Sequence, residues 1–333
     1  MEFRAMKITM AHGSGGKATS ELISSIFSKN FSNPVLSKME DSAVVPGAET
    51  IAITTDSFVV TPVFFPGGDI GRLSVCGTVN DLLMSGAQPK YLTCGFIIEE
   101  GAESDDLEKI AESMAKTAQE AGICIIAGDT KVIDGKGGVY INTAGVGFVP
   151  QGRSISASHC ETGDCILLSG FLGDHHAAIL SSRMGIENNI MSDCAPLNEI
   201  VGSLFENGIR VKALRDVTRG GLATVLNEFA AASSCCIELN EQDIPVSEQV
   251  KGFCGILGLD PLYMGNEGKF VAVVEKEDAQ KAVELMRASK YGEHAANIGS
   301  VVSGESGTLL VKTPIGGMRI VPELYGEGLP RIC

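Results

Sequence analysis

The sequence lacks tryptophan, Cys-x-x-Cys pairs, a basic excess and any long apolar run. Lysine and arginine total 26 against 41 aspartates and glutamates, a net charge of −15. A surface this acidic repels phosphate backbones and anionic membranes, which excludes nucleic acid as a general partner. No stretch reaches the ~18 apolar residues of a membrane span, and residues 1–9 lack the apolar core of a signal peptide. We therefore expect a cytoplasmic protein with no membrane partner.

The ten cysteines predict free thiols rather than a metal site. Cys76, Cys124, Cys165 and Cys254 lie inside apolar runs, where cysteine behaves as a small hydrophobic residue. Disulfides are rare in a reducing compartment. The adjacent cysteines at 235–236 are too close for two tetrahedral ligands, so no zinc site is expected.

Short apolar runs alternate with amphipathic patterns, which is typical of an α/β protein, and 333 residues suggest two domains. We predict an N-terminal glycine-rich segment over 1–40, a first α/β domain over 41–153, a second over 154–312 and a mobile tail over 313–333. Predicted strands cover 51–55, 91–98, 123–127, 138–149, 165–169, 210–217, 269–274, 298–302 and 308–312. Predicted helices cover 71–85, 104–121, 175–184, 196–207, 221–231 and 278–289.

The C-terminal segment predicts an arm that carries a thiol. Residues 322–330 contain two prolines and two glycines and show neither helical nor strand periodicity. Cys333 follows as the last residue, with nothing after it to bury its sulfur. From these residues alone, an incidental cysteine on a disordered end is about as probable as a functional nucleophile.

Carboxylates are the main candidate ligands. We expect Asp56, Asp129 and Asp216 to end apolar strands, where α/β folds collect ligands. Asn80 and Asp81 add polar groups inside an otherwise apolar helix, and Glu40 and Asp41 precede another apolar pair. Such a set would hold Mg²⁺ by oxygen, and the metal would neutralise a polyphosphate. Any single member reads more readily as a turn or cap residue.

Several polar turns have two possible interpretations. Residues 12–18, His-Gly-Ser-Gly-Gly-Lys-Ala, fit no P-loop spacing and suggest a mobile lid near a nucleotide. Arg219 precedes two glycines at a helix start, a possible anion site. Lys131 could contact phosphate or be a solvated turn lysine, and Glu267, between two loop glycines, suits an acid/base group. The adjacent residues His175 and His176 point to different faces, which favours a helix start over a chelate.

Eight motifs together resemble the HypE family of hydrogenase maturation proteins. Seven of them are shared with the wider superfamily of aminoimidazole ribonucleotide synthetase, selenophosphate synthetase and thiamine-monophosphate kinase, and the terminal Pro-Arg-Ile-Cys separates the HypE family from these relatives. The resemblance runs from His12 to Cys333. Its motifs are Ala11–Lys17, Met39–Ser42, Thr54–Ser57, Val79–Leu83, Ala127–Lys131, Asp216–Gly221, Gly265–Gly268 and Pro330–Cys333.

The resemblance implies an ATP-dependent carbamoyl dehydratase. HypF would place a carbamoyl group on the terminal cysteine, the chain would dehydrate it to a thiocyanate, and a HypC–HypD complex would accept the cyano group as an iron ligand for [NiFe]-hydrogenase. The first domain would bind ATP and form a homodimer through its sheet. The implied roles are carrier nucleophile for Cys333, phosphoryl stabilisation and proton transfer for Lys131 and Glu267, nucleotide contact for Asn80, and Mg-ATP binding for Asp41, Asp56, Asp81, Asp129 and Asp216.

Two other functions stay open at this point. A selenophosphate synthetase-like phosphotransferase normally needs cysteine or selenocysteine before the loop lysine, whereas Gly16 precedes Lys17 here. A non-enzymatic thiol carrier would bind the same partners without consuming ATP. One departure from the family pattern is His176, where glycine is expected, and it puts a role for residues 173–176 in doubt.

Overall fold

The computed structural model describes residues 6–323, and its first domain is a four-stranded sheet covered on one face by helices. The strand order is β1-β6-β4-β5, with β4 and β5 parallel and the other neighbours antiparallel. Its elements are α1 (Gly16–Leu22), β1 (Ile51–Phe58), β2 (Phe64–Phe65), β3 (Gly68–Asp69), α2 (Ile70–Met84), β4 (Gln88–Glu99), α3 (Ser104–Glu120), β5 (Cys124–Ile133) and β6 (Val139–Phe148).

The glycine-rich segment packs onto this domain through aromatic and aliphatic side chains. A π-helical stretch, Ile23–Ser28, continues α1 and buries Ile26 and Phe27. The Phe27 ring lies 4.5 Å from that of Phe96 on β4. This packing fixes the segment beside the β4–β5 edge of the sheet.

The opposite face of the sheet is open. Along β1 the side chains of Ile51 and Ile53 are exposed, while alternate residues point toward α2. Ile97 on β4 and Ile133 on β5 are also exposed. An apolar sheet face without a covering layer is typical of an interaction surface.

The second domain is built on a seven-stranded sheet of order β13-β12-β9-β11-β7-β10-β8, in which only β9 and β12 are parallel neighbours. Val271 and Ala272 of its strand β10 face opposite sides and are both fully buried, because helices cover both faces. The elements are β7 (Cys165–Leu168), α4 (Asp174–Met184), α5 (Asn198–Glu206), β8 (Val211–Asp216), α6 (Gly221–Ala232), β9 (Cys236–Asn240), α7 (Glu248–Leu257), β10 (Phe270–Val274), α8 (Ala279–Ala288), β11 (Ala296–Val302), β12 (Thr308–Lys312) and β13 (Met318–Ile320).

The mixed α/β architecture with two domains is confirmed, and several local features differ from the predictions. Strand β5 does not end at Asp129 but continues to Ile133. The sequence reading missed β9 and α7. The tail expected from residue 313 begins with ordered sheet, because β13 pairs with β12 and Val321 is fully buried. No helix in the described range is long and apolar enough to cross a membrane.

Candidate active site between the two domains

Residues 192–197, which we call the strap, join the second domain to α2 of the first. Arg72 and Asn80 lie eight residues apart on α2, about two turns, and so share one face. Arg72 Nε donates to the Cys194 carbonyl at 2.8 Å. The Asn80 amide donates to the Ala195 carbonyl at 3.0 Å and accepts the Leu197 N–H at 2.9 Å. The strap therefore fixes the seam between the domains.

The loop Gly265–Gly268 lies against the strap and is rigidly held. Asn266 is fully buried; its backbone N–H donates to the Val217 carbonyl at 2.9 Å, and its side-chain oxygen accepts the Gly173 N–H at 2.8 Å. The Ala195 N–H donates to the Glu267 carbonyl at 3.4 Å. A loop with this many backbone bonds presents the Glu267 side chain in a defined direction.

Four of the predicted site residues act on one another electrostatically at this seam: Asp56, Asp81, Asp216 and Glu267. Burial, followed by the charges of Asp81 and Asp56, raises the pKa of Asp216 to about 7. Burial, followed by the charges of Asp216 and Asp193, raises the pKa of Glu267 well above its usual range. Like charges held together in this way favour a bound cation or a shared proton.

Two threonines orient the first-domain carboxylates. Thr78 Oγ1 donates to Asp56 at 3.1 Å, and Thr54 Oγ1 donates to Asp81 at 2.9 Å. Burial raises the pKa of both carboxyls, while these hydrogen bonds lower it. The threonines therefore fix the direction of each acid without neutralising it.

Asp129 and Lys131 lie apart from these four residues. In the register, Asp56 aligns through β6 and β4 with Gly128, so the side chain of the next residue, Asp129, is on the other face of the sheet. β1 and β5 are the two edge strands, about 14 Å apart across three strand spacings. Asp129 instead pairs with Lys131 at 2.8 Å, and the hydrogen bond from Lys131 lowers its pKa. Within one chain, the structure therefore does not bring Asp129 and Lys131 together with the four carboxyl groups of the seam.

A cleft adjoins the Asp129–Lys131 pair at the edge of the sheet. It lies between the glycine-rich segment and strands β4 and β5, with a volume of about 260 Å³. Phe27 and Phe96 form its apolar wall, and Gly13 and Gly15 lie at its rim. An apolar wall next to a charged pair suits a ligand with a flat ring and an anionic part.

The remaining predicted residues have other surroundings. Asp41 is exposed ahead of β1, and no hydrogen bond or ion pair of its side chain is found within residues 6–323. Cys333 lies outside the described residues. In the same range no three His, Cys, Asp or Glu side chains are close enough to hold a metal ion by themselves.

Asn80 and the two histidines are buried in the seam. The Asn80 amide is already occupied by three backbone groups of the second domain, which argues against the predicted nucleotide contact. His175 and His176 lie in the first turn of α4, and burial lowers the pKa of each to about 4. His175 Nδ1 lies 2.7 Å from Ser192 Oγ of the strap, so this histidine supports the seam as a neutral ring.

Sequence reasoning missed Arg72 and Asp193, which position the strap and the loop. Asp193 accepts hydrogen bonds from the Glu267 and Gly268 N–H groups, 74 and 75 residues along the chain. Hydrogen bonds to backbone groups so distant in the sequence leave no local sequence pattern. Residues 188–194 also lack the periodicity of a helix or a strand, so nothing in the sequence identifies Asp193 as a structural residue.

Comparison with known proteins identifies the fold family. The N-terminal and C-terminal domain models of AIR synthase related proteins match residues 39–149 and 161–312. A carbamoyl dehydratase HypE from Rhodobacter capsulatus is 44% identical over 100% of both chains. The chain belongs to the HypE family of hydrogenase maturation proteins.

Solved HypE structures share this architecture. A crystal structure of HypE in complex with ATP is 45% identical, superposes with a TM-score of 0.94 and covers 97% of this chain and 99% of its own. HypE from a HypE–HypF complex is 46% identical, with a TM-score of 0.80 over 91% of this chain and 99% of its own. The predicted family and two-domain fold are thus confirmed.

Proposed function

We propose that this chain is an ATP-dependent carbamoyl dehydratase of hydrogenase maturation, acting on a carbamoyl group carried on its own Cys333. The observation that carries this proposal is full-length similarity to carbamoyl dehydratases, combined with a seam in which burial raises the pKa of the Glu267 carboxyl on a hydrogen-bonded loop. ATP binding by the similar HypE structure supports the energy source.

The reaction needs both a leaving group and a base. An amide oxygen leaves poorly, so attack of this oxygen on the γ-phosphoryl group of ATP converts it into a phosphate ester and releases ADP. Loss of the two N–H protons and of phosphate then leaves the C≡N group on sulfur. Overall, the carbamoyl group loses the elements of water: its oxygen leaves in inorganic phosphate and its two hydrogens leave as protons, while ATP becomes ADP. A thiol on the same chain makes the step unimolecular, an advantage of up to about 7–11 kcal/mol.

Residue roles follow from position. Glu267, with a raised pKa in the rigid loop, takes the N–H protons. Lys131 is exposed on β5, lines the cleft beside Phe27 and Phe96, and stabilises phosphoryl oxygens. Cys333 is the carrier nucleophile. The acids of the seam would surround Mg-ATP together with Asp129 of β5 from a second copy of the chain.

Mg²⁺ fits the chemistry of these acids, which are hard oxygen donors. It would be held by Asp56, Asp81 and Asp216, with Asp41 and Asp129 as the further predicted ligands. Because three side chains are not preassembled in the described range, phosphate oxygens and water would complete the coordination, as is usual for Mg²⁺. The metal would neutralise charge on the polyphosphate. The base of ATP would occupy the cleft beside Phe27 and Phe96.

Partners are proposed on the same basis. HypF would donate the carbamoyl group, and a HypC–HypD complex would accept the cyano group; the HypE–HypF complex of a relative supports the first. The open face that carries Ile53 and Ile97 would pair two copies into a homodimer in the cytoplasm.

Intact-mass measurement tests this function. The chain is incubated with HypF, its carbamoyl donor and Mg-ATP. A gain of about 43 Da, followed by conversion to a gain of about 25 Da, corresponds to adding CONH to the thiol and then removing water. A passive carrier would consume no ATP, a phosphotransferase would consume ATP without dehydrating the adduct, and neither would show the 25 Da species.

A further inference from the structure

Asp193 is a buried carboxylate directly behind Glu267, and none of the sequence motifs includes it. Its side chain is 3% exposed. Asp193 Oδ1 accepts the Glu267 N–H at 3.1 Å, and Oδ2 accepts the Gly268 N–H at 3.3 Å. One carboxylate therefore holds two successive peptide groups of the loop that carries the proposed base.

The same peptide groups are held from the other side. The Glu267 carbonyl accepts the Ala195 N–H at 3.4 Å and a hydrogen bond from Asn80 Nδ2 at 3.4 Å. At Gly268 a Cβ atom would lie 1.9 Å from the Asp193 carbonyl oxygen. The loop and the strap thus meet in backbone contact, and Asp193 supplies the only side-chain acceptor found for these two N–H groups among residues 6–323.

A neighbouring cation keeps this carboxylate in place. Lys269 Nζ lies 3.4 Å from Asp193 Oδ2 and donates to the Gly268 carbonyl at 3.1 Å. Hydrogen bonds from N–H groups to an ionised acceptor are stronger than those to a neutral one. The side chains of Asp193 and Lys269 are both nearly buried, so water screens their ion pair only weakly. This ion pair therefore helps to hold the loop in place.

We propose that Asp193 is the positioning residue for Glu267: it holds the Glu267 main chain so that the side chain meets the N–H protons of the carbamoyl group. This inference rests on the proposed function, because it assigns a task within the dehydration step. Asp193 does not touch the reacting atoms. It acts through the two peptide groups it binds.

The variant Asp193→Asn tests this role. It preserves shape, but one oxygen becomes an NH₂ group that must face either the Glu267 N–H or the Gly268 N–H together with the Lys269 ammonium, so at least one bond is lost. We expect the conversion of the 43 Da adduct to the 25 Da adduct to slow about 100-fold, the effect of a small misplacement. Carbamoylation of Cys333 and Mg-ATP affinity should stay within about twofold of wild type.

A double variant separates positioning from charge balance. Asp193→Asn combined with Lys269→Met removes both members of the buried pair and restores the stability lost when Lys269 is left unpaired. If Asp193 positions Glu267, the double variant still dehydrates slowly. Recovery of the wild-type dehydration rate would overturn the proposal, because it would leave Asp193 only the task of neutralising Lys269.

Asp164 provides a matched control far from the seam. Asp164 is also buried, accepts the Glu161 N–H at 2.7 Å and pairs with Lys212 at 3.1 Å. Asp164→Asn should cost stability but leave the dehydration rate unchanged. If wild type never forms the 25 Da species, the proposed function fails; if wild type and Asp193→Asn form it equally fast, only the role of Asp193 fails.

Discussion

Asn80 on α2 and Glu267 in the second domain meet across the seam, with Asn80 Nδ2 donating to the Glu267 carbonyl at 3.4 Å. The same amide holds two strap residues. The residue predicted to contact nucleotide therefore connects the two domains at the position of the proposed base. Its removal should affect domain packing before nucleotide binding.

Asn80→Ala is expected to lower the free energy of unfolding by about 2 kcal/mol, because the buried N–H of Leu197 and the carbonyl of Ala195 lose their partner. Mg-ATP affinity should change little. Chemical denaturation and calorimetric titration measure the two effects. Asn227→Ala is the control, since Asn227 likewise ties buried carbonyls but lies in the other core. A loss of ATP affinity without loss of stability would restore the predicted nucleotide contact.

Gly268→Ala should destabilise the protein and stop dehydration, because its Cβ would lie 1.9 Å from one backbone atom and 3.0 Å from another, and neither can move freely. Thermal unfolding and the adduct masses report the outcome. The matched change Gly252→Ala, at an exposed position of helix α7, meets no atom within 4 Å and should stabilise the protein by about 0.5–1 kcal/mol. Equal behaviour of the two variants would mean that the loop and the strap are not in backbone contact.

The buried histidines should make the protein sensitive to acid. Burial holds the pKa of His175 at about 4 in the folded chain, below the ordinary value of 6.5, so the unfolded chain binds more protons. The contribution of the neutral ring is fully present above pH 6.5 and is lost as the pH falls toward 4, up to about 3 kcal/mol. His175→Gln keeps a polar group near Ser192 but cannot titrate in this range. The difference in the free energy of unfolding between pH 7 and pH 5, measured by chemical denaturation, should therefore be smaller in this variant than in wild type.

Mg-ATP binding should weaken as the pH falls from 8 to 6. With a pKa of about 7, Asp216 is mostly ionised at the upper pH and mostly protonated at the lower, so a metal must displace its proton. We expect the affinity for Mg-ATP to fall about tenfold. We also expect binding to release a proton, which calorimetry detects as a heat that depends on the buffer. In Asp216→Asn the affinity for Mg-ATP should be lower and nearly independent of pH. An unchanged pH dependence would show that a group other than Asp216 binds the proton.

Cys333→Ala should abolish both adduct masses and cyanide delivery while leaving Mg-ATP binding intact, because the carrier thiol is not a nucleotide ligand. Cys124, an exposed thiol on β5, gives the control variant Cys124→Ala, which should behave as wild type. Cyanide transfer by the Cys333 variant would show that another group carries the carbamoyl unit.

Much of the fold could be predicted because local patterns determine it. Helix α3 ends within one residue of its prediction, since its apolar spacing and Gly122 both mark it. The predicted range of strand β5 ends too early because its second half is not an apolar run: exposed Asp129 and Lys131 alternate there with buried Thr130 and Val132. Helix α7 was missed because Gly252 and Gly255 weaken its helical pattern.

The sequence could name the members of the candidate site but not their arrangement. The motifs supplied Asp56, Asp81, Asp216 and Glu267, whose proximity depends on packing between domains. They could not show that Asp129 lies on the opposite face of the sheet, which follows from strand register alone. Asp193 was invisible because its partners are peptide groups distant in sequence.

The outward direction of Asp129 and Lys131 would link the quaternary state to turnover. These residues lie on the face that a homodimer would use, so the catalytic groups of β5 would be delivered to a site only when two copies meet. Specific activity should then rise with protein concentration and fall on dilution, whereas a self-sufficient monomer would keep it constant. Mixing Asp129→Asn copies with Asp216→Asn copies would likewise rebuild some intact sites from two inactive parents.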